Sequence, residues 1–462
     1  MSNNAFSTLN LKPELEANLA TLGYESMTPI QSQSLPHILS GKDVIAQGKT
    51  GSGKTAAFGL GLLDHLNVKR FRIQSLVLCP TRELADQVAK EIRKLARSIH
   101  NIKVLTLCGG MPFGPQIGSL EHGAHIIVGT PGRVEEHLRK GFLSLDDLNL
   151  LVLDEADRML EMGFQDALDA IVDAAPADRQ TLLFSATYPK QIESIAREIM
   201  HKPVMVKVES THDENTIDQH FYHVESNEDR MTALRLLLSL HKPESSVVFC
   251  NTKREAQEVA DDLDMYGFSA MALHGDLEQR ERDQTLVRFA NKSTSVLVAT
   301  DVAARGLDIE ALDCVINYHL ARDTEVHVHR IGRTGRAGSK GVACSFFSDK
   351  EHYKVALLED YLEKDIVGSE LPSESLLNQP TFRPAMTTLQ ILGGKKQKVR
   401  PGDILGALTG ENGIRGDQVG KINVFDMVAY VAVKSDVARV ALKKLEKGKM
   451  KGRTFRVRAI KR

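Results

Sequence analysis

Short runs of apolar, β-branched residues alternate along most of the chain with longer stretches of helical periodicity. DVIAQ (43–47), SLVLC (75–79), HIIVG (125–129), LLVLD (150–154) and TLLFS (181–185) read as buried strands, each separated from the next by a helix-like segment. Continuous apolar strands alternating with helices specify a parallel sheet covered on both faces. A second series starts after Pro203: QHFYHV (219–224), SSVVFC (245–250), SAMALH (269–274), SVLVAT (295–300), CVINYH (314–319) and GVACSFF (341–347). The pattern therefore predicts two tandem α/β domains, residues 1–208 and 209–367, joined through the polar segment ESTHDENT (209–216).

Pro372, Pro380 and Pro384, together with Ser369, Ser373 and Ser375, break that rhythm, and 368–384 reads as a linker. Beyond it, 385–462 runs strand TTLQIL, a Gly/Lys-rich turn, helix PGDILGALTG, strand KINVF, strand AYVAV, helix DVARVALKKLE and strand RTFRVRAI. That β-α-β-β-α-β order predicts a small α+β domain.

Charge changes the picture. The 462 residues carry 59 Lys+Arg against 60 Asp+Glu, and a net charge of −1 taken whole argues against a nucleic-acid partner. From Thr381 onward, however, 19 basic residues face 6 acidic ones, a net of +13, which leaves −14 for everything before. Hydrophobic residues at 42% and charged ones at 26% exclude a disordered or fibrous chain. No apolar run approaches the roughly eighteen residues of a membrane span. Cys79, Cys108, Cys250, Cys314 and Cys344 lack the close spacing of a zinc or redox pair and mostly sit in apolar runs, as inert buried thiols do. With no basic stretch followed by an apolar core at the start, a cytoplasmic location without a membrane partner is expected.

The chemistry concentrates at two strand ends. GKTGSGKT fits the phosphate-loop pattern, after one predicted strand and before the helix TAAFGLGLLDHL. Glycines there let backbone N–H groups wrap phosphates, the helix N-terminus adds positive potential, Lys54 neutralises the β/γ-phosphates and Thr55 suits Mg²⁺. At the end of LNLLVL stand Asp154, Glu155, Ala156 and Asp157, at the carboxyl end of a parallel strand where open α/β sheets bind ligands. Asp154 suits an outer Mg²⁺ ligand and Glu155 the base that orients an attacking water.

Over its first 370 or so residues the chain resembles the DEAD-box RNA helicases. The resemblance rests on GYESMTPIQ (23–31), AQGKTGSGKT (46–55), PTREL (80–84), TPGR (130–133), DEAD (154–157), SAT (185–187), FCNTK (249–253), HGDLEQRER (274–282), ATDVAARGLD (299–308) and HRIGRTGR (329–336), in that order. It implies two RecA-like domains and ATP as cofactor with Mg²⁺. Gly48, Lys49, Thr50, Gly51, Ser52, Gly53, Lys54 and Thr55 would hold the phosphates, and Phe6 and Gln31 the adenine. Asp157, Ser185, Thr187 and His329 would couple the ATP and RNA sites. Arg333 and Arg336 would act as arginine fingers on domain closure, worth roughly 10³ to 10⁵ in rate, and Asp308 would contact the ribose or a finger. RNA contacts would come from Arg82, Gly110, Thr130 and Arg133 in the first domain and Thr252, Gln279, Arg282 and Thr300 in the second. Such groups grip phosphate and sugar without reading sequence.

The last segment resembles an RRM, whose sheet usually stacks bases on aromatic residues. Here only Tyr430 stands in a plausible stacking place, while charge gathers in GGKKQKVR (Lys395, Lys396, Lys398, Arg400) and in 443–462 (among them Lys449, Lys451, Arg453). That spacing suits loops and a helix end gripping the backbone of a folded RNA. Together with VHVHRIGRTGR, it makes the whole chain similar to the bacterial DbpA subfamily. Membership implies tethering to structured large-subunit ribosomal RNA in pre-ribosomal particles and a part in assembly of that subunit, with no obligate protein partner evident. The alternative is a general RNA chaperone or RNP remodeller. A related enzyme working on DNA, a non-catalytic RNA-binding factor and a plain phosphate-loop kinase are weaker rivals. The last leaves the second-domain arginines and the basic tail without a task.

Overall fold

The computed structural model describes residues 4–48, 51–208, 217–304, 312–335 and 340–460. It divides into two units, the described residues up to 208 and those from 217 onward. Among them no helix is long and apolar enough to cross a membrane.

The first unit is built on seven parallel strands, β1 (Val44–Gln47), β2 (Ser75–Leu78), β3 (Val104–Leu107), β4 (Ile126–Gly129), β5 (Leu150–Asp154), β6 (Gln180–Ser185) and β7 (Val204–Lys207), in the order β3-β4-β2-β5-β6-β1-β7. Alternation along the inner strands serves two cores: Val77, Val152 and Leu182 pack to one face, Leu76, Leu151 and Leu183 to the other. Five of these strands follow the apolar runs read from sequence. β3 and β7, at the sheet's edges, do not, because they are only partly buried. Leu105 and Thr106 are only partly buried, and in β7 Val206 alone is buried.

The second unit contains a parallel sheet of β8 (Ile217–His223), β9 (Ser246–Cys250), β10 (Ala270–Leu273), β11 (Val296–Thr300), β12 (Cys314–Asn317) and β13 (Gly341–Phe347), ordered β10-β11-β9-β12-β13-β8. All five cysteines are buried, and burial pushes the Cys108 thiol up to about 12.

An antiparallel sheet of β14 (Met386–Ile391), β15 (Val419–Val424), β16 (Ala429–Lys434) and β17 (Val457–Ala459), ordered β15-β16-β14-β17, forms the tail domain. Leu389, Ile391, Val431 and Val433 face its helices and make its core. The centre of the opposite face is also buried, against the second parallel-sheet domain: Thr388 Oγ1 accepts from Asn291 Nδ2 at 3.2 Å and lies 2.6 Å from Ser293 Oγ. The Pro/Ser segment leading to it is held down rather than loose. Ser369 N–H donates to the Phe221 carbonyl, Thr381 Oγ1 to that of Gly267, and Phe382 meets Phe268 edge to face.

Thr388→Arg replaces these bonds with a cation in a buried position, at a cost on the order of 3 kcal/mol. Faster amide hydrogen exchange over 291–295 is the expected result, and unchanged exchange would show that the contact does not hold the tail domain in place.

Candidate nucleotide site and nucleic-acid-facing strand ends

At the carboxyl end of β1 the chain turns from a buried strand into the helix Lys54–His65. Gly51 (φ 82°) and Gly53 (φ 94°) take the left-handed conformation that this turn requires. A second element clamps it. Thr28 caps the helix Pro29–Leu39; its Oγ1 donates to the Ser52 carbonyl at 2.8 Å, and Gln31 Nε2 donates to that of Gly53 at 3.1 Å while Gln31 Oε1 accepts from Thr28 N–H. A Cβ on Gly53 would lie 2.6 Å from Gln31 Nε2. Both ends of the Gln31 amide are thus engaged within the protein. Phe6 is buried beneath, edge-on to Tyr24 at 6.0 Å.

Lys54 is buried and folds back to donate to the Gly48 carbonyl at 2.7 Å, and Ser52 Oγ is buried without a partner. Across the sheet Asp154 ends β5, almost fully buried. Burial pushes its pKa up to about 7, Lys54 pulls the other way and Glu155 adds to the rise. Glu155 stands at φ 52°, ψ 52° as the first turn opens, an uncommon conformation for a residue with a Cβ. Asp157 Oδ2 accepts from both Thr187 N–H (3.0 Å) and Thr187 Oγ1 (2.8 Å). Ser185 pairs with Gln47 across β6–β1, its carbonyl accepts from Gly48 N–H, and its buried Oγ has no partner. The ends of β1, β5 and β6 therefore meet as one polar cluster. A lysine, a buried carboxylate and an orphaned hydroxyl beside a glycine turn fit a phosphate chain, and Thr55 and Asp154 are the residues that would hold a divalent cation.

The other half of the sheet carries Arg82, Gly110, Thr130 and Arg133 beyond β2, β3 and β4. Thr81 caps the helix Arg82–Leu95, Gly110 has φ 73°, Thr130 Oγ1 accepts from Gly109 N–H, and Arg133 donates to the Met111 carbonyl. In the second unit the corresponding ends carry Thr252, which caps Lys253–Met265, Thr300, which ends β11, and Gln279 and Arg282 on the helix Gln279–Ala290. His329 lies on the helix Thr324–Ile331, and Arg333 follows it, buried. Lys49, Thr50, Asp308 and Arg336 fall outside the described residues.

Arg330 carries weight that the sequence reading missed. It makes two bonds to Asp301 (2.6 and 2.8 Å) and reaches Asn317 Oδ1 (3.1 Å) and the His319 carbonyl (2.8 Å). Its spacing with buried His327 and Ile331, three and one residues away, was the available signal for an inward face. His319 continues the network through Glu255 (2.6 Å) and Glu351, which Arg230 also holds at 2.5 Å. Burial opposes the charge on both His319 and Glu351. Their partners win, holding the imidazole above its usual value and drawing the carboxyl down to about 2.

In the tail domain Tyr430 is buried, paired with Gln390 across β16–β14 and accepting from its Nε2 at 3.2 Å. Lys395, Lys396, Lys398, Arg400, Lys449, Lys451 and Arg453 are all exposed. The two basic runs meet at Asp403, which accepts from Arg400 N–H at 2.8 Å and pairs with Lys451 at 3.4 Å.

Two parallel-sheet units, a phosphate loop facing a DEAD strand end and a basic α+β tail define a nucleotide-driven RNA helicase. Residues 28–195 match the DEAD/DEAH box helicase family, 229–338 the helicase conserved C-terminal domain and 388–459 the DbpA RNA binding domain. The ATP-dependent RNA helicase DbpA of Escherichia coli is 56% identical over 99% of this chain and all of that protein, and that of Bacillus subtilis 36% over 98% of each. Saccharomyces cerevisiae Dbp5, solved with RNA and ADP BeF3, superimposes with a TM-score of 0.72 at 31% identity, over 81% of this chain and 99% of that one. The chain belongs to the DEAD-box ATP-dependent RNA helicases and, within them, to the DbpA group.

Gly53→Ala strains the loop and strikes Gln31, at a cost of about 1–3 kcal/mol. Binding of a fluorescent ATP analogue should weaken by about tenfold or more, and unaltered affinity would show that the clamp is not needed. The Glu351 contribution to stability is present above the unfolded pKa of 4.5 and is lost as pH falls toward about 2. Over that window Glu351→Gln should therefore lose less stability in denaturant titrations than the wild type; equal slopes would contradict the assigned ion pairing.

Proposed function

We propose that the chain opens short RNA duplexes during assembly of the large ribosomal subunit, in the cytoplasm, with its tail domain choosing structured large-subunit ribosomal RNA. The observation that carries the choice is the meeting of the two exposed basic runs at Asp403, on a domain whose sheet face is already occupied. A concentrated positive surface made of loops fits the phosphates of a folded RNA, and that grip is salt-dependent and geometric. The DbpA names of its relatives and the match of its own tail to the DbpA RNA binding domain support an RNA helicase whose tail binds RNA.

In the motor, Lys54 and the loop amides hold the phosphates of ATP, and Thr55 and Asp154 hold Mg²⁺, which when bound neutralises charge on the phosphates. Glu155 orients the water. Arg333 and Arg336 stabilise the charge that develops as the γ-phosphoryl leaves, so hydrolysis needs both RecA-like domains. Asp157, Ser185, Thr187 and His329 transmit nucleotide state to Arg82, Gly110, Thr130, Arg133, Thr252, Gln279, Arg282 and Thr300, which grip a single strand by its backbone. Tethering through the tail raises the effective concentration of neighbouring duplexes without tightening the core's own hold.

The test is RNA-stimulated ATPase of the full chain with ribosomal RNA and with unrelated RNA. Reversing Lys395, Lys396, Arg400 and Lys451 to Glu should remove the preference for ribosomal RNA while leaving weak generic stimulation, and Lys54→Ala should abolish turnover with either. A wild type that is stimulated equally by both RNAs would favour a general RNP remodeller, and a reversed variant that keeps its preference would overturn tail-directed choice.

A further inference from the structure

A cluster outside the motor and the tail surface lies where the outer strands of the second parallel sheet end. The β8–β13 register sets His223 beside Phe347. From Phe347 the chain enters a tight turn fixed by Glu351, whose carboxylate accepts from Ser348 N–H (3.2 Å) and Ser348 Oγ (3.3 Å) and is itself anchored by Arg230 and His319. That turn brings Asp349 and His352 back over the end of β8. His223 Nε2 lies 2.7 Å from Asp349 Oδ1 and His352 Nε2 3.8 Å from the same oxygen, with one ligand atom from each residue within 4.8 Å of the others. The Phe347 ring meets both imidazoles edge to face, at 5.5 and 5.3 Å.

We propose that His223, Asp349 and His352 bind a divalent transition-metal ion of the Zn²⁺ class. Two imidazoles and one carboxylate form a borderline donor set that suits Zn²⁺ and its neighbours, whereas Mg²⁺ takes hard oxygen ligands and keeps most of its water. All three side chains are exposed, so water completes the coordination and no buried charge has to be stripped of solvent. A simple His–Asp hydrogen bond accounts for the His223 contact alone. It leaves unexplained a second imidazole directed at the same oxygen and steadied by the same phenyl ring.

The experiment is calorimetric titration of the chelator-treated full chain with Zn²⁺ in saturating Mg²⁺, followed by Co²⁺ substitution and visible absorption. One equivalent of Zn²⁺ and the Co²⁺ d–d bands should be present in the wild type and in His220→Ala, which removes a histidine of the same strand outside the cluster. They should be lost in His223→Ala, Asp349→Ala and His352→Ala, whose RNA-stimulated ATPase stays at the wild-type level and so reports a folded chain. No saturable Zn²⁺ binding by the wild type, equal binding by the wild type and the three variants, or the same loss in His220→Ala would each overturn the site.

Discussion

The clamp that Thr28 and Gln31 place on the carbonyls of Ser52 and Gly53 is the constraint on which the motor depends. A loop that must offer backbone N–H groups to phosphates has little of its own to stiffen it beyond the Lys54–Gly48 bond, because bulk at Gly53 would strike Gln31. The stiffness comes from outside, from a helix capped by Thr28 and seated by Ile30, Leu35 and Ile38 in the core of the first sheet. Once the loop is fixed, the rest follows from sheet order. β6 lies between β5 and β1, so Ser185 and Thr187 stand between the DEAD strand end and the phosphate loop and bond to both sides. Asp154 is buried at the end of β5, and the nearby Lys54 charge offsets part of the rise that burial imposes on its carboxyl.

In the second unit the organising group is a buried guanidinium. Arg330 satisfies its own guanidinium with Asp301, Asn317 and the His319 carbonyl, and so fixes the helix from which the chain runs on to Arg333. The tail domain adds a division of surfaces. The centre of its sheet face, with Thr388, Gln390 and Tyr430, is taken up in packing, while the lysine and arginine loops are exposed.

Much of this was legible in the sequence because buried parallel strands are written as continuous apolar runs. LLVLD placed Asp154 correctly at the end of β5, and GVACSFF delimited β13 to the residue. The strands β3 and β7 were not legible, since they are only partly buried and carry no continuous apolar run. Nor was the linker's packing: Thr381 and Phe382 meet partners more than a hundred residues away, and no local pattern records that. Tyr430 illustrates the limit most directly. Its position in the strand pattern made it the one plausible stacking residue of that sheet, and its burial is set by tertiary neighbours that no local pattern records. His223 and Asp349, 126 residues apart, lie together for the same reason.

The central claim is that RNA is chosen by the loops of the tail domain and not by its sheet. Photocrosslinking the full chain to total cellular RNA, with mapping of both peptide and nucleotide, tests it most directly. Crosslinks at 395–400 and 449–453 to large-subunit ribosomal RNA are the expected result. Crosslinks centred on Gln390 and Tyr430, or scattered over unrelated RNAs, would contradict it.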